Sequence, residues 1–109
     1  MDYKNFKPYG DTVHITPSTT SQRESLADIS ASYVAAEDVL VTNDTDKTVY
    51  VNTGGVDVVA KKITGNLSST PIRSGAQIVL NLSGARWVAV ICDTAVNSGT
   101  VSFAQGKGA

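Results

Sequence analysis

The chain has 109 residues, of which 41% are hydrophobic and only 17% charged, and it carries a formal net charge of -1 at pH 7. That length fits one domain with its own core, and the near-neutral charge without a basic stripe argues against nucleic-acid binding by phosphate neutralisation. A single cysteine, Cys92, excludes an intrachain disulfide framework. With no apolar leader-like segment and no apolar run of membrane-spanning length, the chain is expected to be made and folded in the cytoplasm.

Residues 1–12 read as an N-terminal arm. Tyr3, Phe6 and Tyr9 recur at three-residue spacing with Lys4 and Lys7 between them. Pro8 and Gly10 oppose a helix through the segment. The arm closes the core of its own subunit or grips a neighbour, and its three aromatics are candidate partner contacts.

Thr12-Val-His-Ile-Thr16 alternates, with Val13 and Ile15 on one face, and predicts a strand ended by Pro17. Residues 18–36 admit two readings. Ser21-Gln-Arg-Glu24 fits a capping box ahead of a helix, whereas the serine-rich composition fits an edge strand and loop, which is the reading preferred here.

From Glu37 onward the β signal is strong. Asp38-Val-Leu-Val-Thr-Asn43 and Thr48-Val-Tyr-Val-Asn52 are rich in β-branched residues and joined by the short linker Asp44–Lys47, which predicts a hairpin closed by Gly54-Gly55. Val49 and Val51 face inward in this reading, leaving Thr48, Tyr50 and Asn52 outward as further candidate contacts. Lys61–Thr70 is a polar connection with a turn signal at Gly65-Asn66, and Pro71–Gly75 reads as a second turn. Gln77–Leu82 places Ile78, Leu80 and Leu82 on one face. Arg86-Trp-Val-Ala-Val-Ile-Cys92 is apolar on both faces, as expected of a central strand or one covered by a partner. Asn97-Ser-Gly99 turns the chain, Thr100–Ala104 is the last strand, and 105–109 is a flexible tail. About seven or eight short strands at close spacing predict an all-β fold, an antiparallel β-sandwich over 13–104, with a jelly roll or small barrel as its variants.

Chemistry-bearing clusters do not emerge. His14 stands alone, without the base and orienting carboxylate of a nucleophilic triad, and reads as a surface or cross-strand residue. Asp44 and Asp46 read as turn residues rather than calcium ligands. No pair of acidic residues suggests glycoside hydrolysis. Cys92, inside an apolar run, reads as a buried inert thiol. No catalytic residue, metal ligand or cofactor site is expected.

Val39-Leu-Val-Thr-Asn43, a short polar gap, Val49-Tyr-Val-Asn-Thr-Gly54, then Thr70-Pro-Ile-Arg-Ser-Gly75 and a closing apolar strand resemble small virion proteins of tailed bacteriophages. These are head decoration or cement proteins and related head or tail accessory subunits. The resemblance covers about residues 37–104; Lys61–Ser69 is longer and more polar than that pattern, and 18–36 carry none of it. It implies a non-enzymatic subunit in a sandwich or jelly-roll-like domain, located in the virion. It also implies a homo-oligomer, with a trimer among the options, that contacts a major capsid or other virion protein. The alternative is a carbohydrate-binding module using Trp87 with Asn81, or Tyr50 with Asn52, or else a tail or fibre accessory domain.

Overall fold

A computed structural model describes residues 7–8, 12–26, 38–61, 69–82 and 84–107. Tyr3, Phe6, Tyr9, the Gly65-Asn66 turn and residues 27–36 lie outside them. Nine strands occur among the described residues: β1 (Lys7–Pro8), β2 (Val13–Ile15), β3 (Gln22–Ser25), β4 (Asp38–Asn43), β5 (Val49–Gly54), β6 (Thr70–Ile72), β7 (Gln77–Asn81), β8 (Trp87–Cys92) and β9 (Val101–Lys107). Residues 22–25 form a strand, as preferred within 18–36, rather than the first turn of a capped helix; the continuation over 27–36 lies outside the described residues.

The strands make two antiparallel sheets. One has the order β1-β9-β4-β7, with β2 also on β9; the other has the order β3-β8-β5-β6. β1 lies opposite Gly106 and Lys107 and β2 opposite Val101 to Phe103, so both belong to one edge rank beside β9. Each sheet is thus four ranks wide, and successive strands switch sheets at most connections. That order is the double Greek key of a jelly roll.

Alternation decides which side chains fill the space between the sheets. Ile15, Val39, Val41, Val101 and Phe103 face Val49, Val51, Ile72, Val88, Val90 and Cys92 in one buried cluster. Ile78 and Leu80 pack against its rim and Leu82 is buried in it, on the face their spacing predicts. Each fully buried valine adds about 1.5–2 kcal/mol of transfer free energy, so the core rests on many small β-branched side chains around one Phe103.

Three sequence expectations need correction. Asp38–Gly55 is not a hairpin: β4 pairs with β7 and β9, while β5 pairs with β6 and β8. Residues 44–48 instead arch from one sheet to the other. Pro71 and Ile72 belong to β6, and the turn is Arg73–Ala76, closed by the Ala76 N–H on the Arg73 carbonyl at 3.0 Å. Gly75 supplies the positive φ of 80° that this turn requires. The expected tail is shorter than 105–109, because β9 continues to Lys107 with Gln105 1% exposed. Within the expected arm, Lys7–Pro8 pairs with β9 of its own chain.

Candidate functional site

The connections after β2, β4, β6 and β8 gather at one end of the sandwich, and Asn43 holds that end together. Its side chain is fully buried at the end of β4. Its Nδ2 donates to the Lys47 carbonyl at 2.8 Å and to the Ile72 carbonyl at 2.9 Å. Its Oδ1 accepts from the Thr45 N–H at 3.0 Å and the Thr45 hydroxyl at 2.6 Å. All the bonding capacity of one carboxamide is thereby used inside the arch. The neighbouring loops fasten to the same arch. Ser74 Oγ donates to the Thr45 carbonyl at 2.6 Å, and the Asp44 N–H donates to the Thr100 carbonyl at 3.0 Å. Asp46 accepts from the Asn97 N–H at 2.8 Å and from Asn97 Nδ2 at 2.9 Å. The Asn97 N–H bond, with smaller help from the Asn97 side chain, holds the Asp46 carboxyl below the ordinary aspartate range despite some opposing desolvation. The two aspartates singled out in the linker are thus turn and loop-fastening residues. Among the described residues, no three of His, Cys, Asp and Glu gather to hold a metal ion.

The outward candidates lie on the outer face of the β3-β8-β5-β6 sheet, where alternation puts them. This face is covered by its own chain. After Gly54 the segment 55–61 folds back as a strap, with Val58 and Ala60 packed against Tyr50, Ala89 and Ile91. The Val58 N–H closes a turn on the Gly55 carbonyl at 3.0 Å. Asn52 Nδ2 donates to the Val59 carbonyl at 3.1 Å, and the Ala60 N–H donates to Ser21 Oγ at 3.0 Å. Thr48, Tyr50 and Asn52 are accordingly half-buried rather than exposed. The strap also explains β8: it is a central strand whose outer face is covered from within the subunit.

The Tyr50 hydroxyl donates to Asp93 Oδ2 at 3.3 Å. Desolvation first, then the Asp93 charge and this bond, raise the Tyr50 pKa above its ordinary value. The neutral phenol is the form the fold favours, so its contribution to stability is complete below the unfolded value and is lost as pH rises through the raised one. In an ultraviolet pH titration, the tyrosinate signal missing from Tyr50→Phe is expected to have a midpoint above that of an ordinary tyrosine. Asp93→Asn is expected to bring it down. An ordinary midpoint in the parent chain would show that the contact does not form.

The residue pairs of the carbohydrate alternative fare unequally. Trp87 lies on the outer face of the β8 sheet and Asn81 on β7 of the other sheet, so they sit on opposite sides of the sandwich. The Arg23 guanidinium lies 6.0 Å from the Trp87 ring centroid, at the limit of a cation–π contact. Tyr50 and Asn52 share a face, but the Asn52 amide is bound to the strap. His14 is exposed and paired in register with Ser102. It lines, with Thr16, Gln22, Arg23 and Glu24, an open polar cleft of about 550 Å³ between the edge strands β2 and β3.

Residue-by-residue reading missed Asn43, Asp93, Arg23 and the strap. A signal for Asn43 was present: Asn43-Asp-Thr45 places a carboxamide two residues before a threonine at a strand end, an Asx-turn pattern. Compared with protein-family models, with curated proteins and with solved structures, the chain finds no match.

Proposed function

We propose that this chain is a non-enzymatic structural subunit of a bacteriophage particle, a decoration or cement protein that stabilises the capsid through contacts between subunits. The resemblance of residues 37–104 to such proteins supports this reading, and the jelly-roll strand order supports it by analogy of fold alone.

The observation that carries it is the strapped outer face. The polar groups of Tyr50 and Asn52 are engaged in fastening the chain to itself. Val56 and Val59 stand out from the strap at 53% and 48% exposure, the two large hydrophobic side chains most displayed among the described residues. Apolar side chains on a fastened support lose little conformational entropy on binding and suit a flat protein surface recognised by shape and burial. The partner is a major capsid or other virion protein, and the protein resides in the assembled particle.

The test is mass spectrometry of gradient-purified particles from the infection that produces this chain. The 11.4 kDa chain is expected in the particle fraction in fixed proportion to the shell protein, and Val56→Asp/Val59→Asp is expected to abolish that association. Finding the parent chain in the lysate but not in particles would overturn the reading.

A further inference from the structure

The strap covers the outer face of β8 at Ala89 and Ile91, and Trp87, at the start of that strand, lies outside this cluster and is half-buried. The residues in register with Trp87 are Ser25 on β3 and Gly54 on β5. One carries a single hydroxyl and the other no side chain, so neither flanking strand walls in the indole. A buried indole N–H ordinarily finds a hydrogen-bond partner. That of Trp87 has none among the described residues. The ring is therefore a flat apolar surface with an unused donor at its rim.

On the other side of β3 lies the polar cleft of about 550 Å³, with residues 14–16 of β2 and its end facing residues 22–24. Gln22 and Glu24 are in register with the core residues Val90 and Val88, so alternation turns them toward the space between the sheets. Arg23 turns outward and belongs to both places. It lines the cleft, and its guanidinium lies 6.0 Å from the Trp87 ring centroid. Because Arg23 and Glu24 leave opposite faces of one short strand, they do not pair with each other. The side chains of His14, Thr16, Gln22 and Glu24 make no hydrogen bond or ion pair among the described residues. The cleft thus holds donors and acceptors in mixture, all of them unspent.

We propose that Trp87 and this cleft form one binding site for a neutral oligosaccharide, with one sugar ring stacked on Trp87 and the next lying past Arg23 in the cleft. A pyranose has an apolar face of C–H groups and a rim of hydroxyls. The face matches an open indole, and the hydroxyls match the rest, since each donates and accepts at once. A hydroxyl donates to Glu24 and accepts from Arg23, from the Gln22 carboxamide or from the indole N–H. Charge selects the neutral class. An anion drawn to Arg23 meets the Glu24 carboxylate in the same cleft, and a cation meets the reverse, so a net charge on the ligand gains little. The partner of Trp87 in this site is Arg23 of the adjacent strand, not Asn81 of the far sheet.

This site stands apart from the virion reading, and its test uses the purified chain. Trp87 is the only tryptophan, so its emission reports on the site directly. Titration with neutral hexasaccharides of glucose, xylose, mannose and N-acetylglucosamine is expected to give a saturable change in that emission with at least one of them. The hexamer of galacturonic acid, with a carboxylate on every ring, is expected to give none. By calorimetry, Arg23→Ala and Glu24→Ala, both at exposed positions, are each expected to weaken the binding by about tenfold or more. Trp87→Ala is expected to abolish it and Trp87→Tyr, which keeps a flat ring, to retain part of it. Val56→Asp/Val59→Asp is expected to leave it unchanged. No saturable change with any neutral member at millimolar concentration overturns the proposal. So does preference for the galacturonate hexamer, or an affinity that Arg23→Ala and Glu24→Ala leave as it was. If Trp87→Ala fails to fold, the two β3 variants and the parent emission decide.

Discussion

Asn43→Ala is expected to lower unfolding free energy by about 3–5 kcal/mol, a large share of the total for a domain of this size. The side chain removed is fully buried and makes four hydrogen bonds: two to carbonyls, two from Thr45. Alanine fills none of these roles, and the groups left behind are at an end of the core that the surrounding loops seal. An unsatisfied buried donor or acceptor costs about 1–3 kcal/mol, so two left without water suffice for the expected loss. Urea unfolding followed by fluorescence of the single Trp87 measures it directly. Thr45→Val, which removes the hydroxyl that lies 2.6 Å from Asn43 Oδ1 and 3.0 Å from the Lys47 carbonyl and accepts from the Lys47 N–H at 3.2 Å, is expected to cost about 1–2 kcal/mol. The two changes share one network, so the double variant is expected to lose less than the sum. A loss below about 1 kcal/mol for Asn43→Ala would mean that water replaces the carboxamide and that the arch is open.

The same residue shows why the fold was only partly legible in the sequence. The class was legible because alternation in Val39–Val41, Val49–Val51 and Val101–Phe103 marks which side of a strand is buried. Alternation does not say which sheet a strand joins. Asp44–Lys47 has the composition of a hairpin turn and of an arch alike. What separates them is the bond from Asn43 to Ile72, across 29 residues of chain, which no local pattern announces. Trp87–Cys92 posed a similar choice. Its apolar outer residues were compatible with an outside partner, yet they are covered by Val58 and Ala60 of the strap. Gly54-Gly55 read as the end of a strand and is also where that strap folds back; a Cβ at Gly54 would stand 3.1 Å from Val58 Cγ2. For the candidate surface, the outward direction of Tyr50 and Asn52 was legible and their engagement by Asp93 and Val59 was not, since both partners are distant or irregular in structure.

Gly99→Ala is expected to cost about 2–4 kcal/mol, more than alanine at Gly54, Gly55, Gly75 or Gly84. Two effects combine there. The φ of 92° lies where a side chain is strained, which by itself costs about 1–2 kcal/mol. A Cβ would also run into the carbonyl oxygen of Asp44, a backbone atom of the arch that cannot swing aside as a side chain could. The other glycines separate these effects. Gly75→Ala meets the conformational cost alone, since φ is 80° and nothing lies within 4 Å of the new Cβ. It is expected to lose about 1–2 kcal/mol. Gly55→Ala meets neither and is expected within about 0.5 kcal/mol of the parent. The excess at Gly99 over Gly75 therefore measures how closely the 93–100 loop is held to the 44–48 arch. Equal losses at Gly75 and Gly99 in denaturant unfolding would show that the arch gives way at little cost.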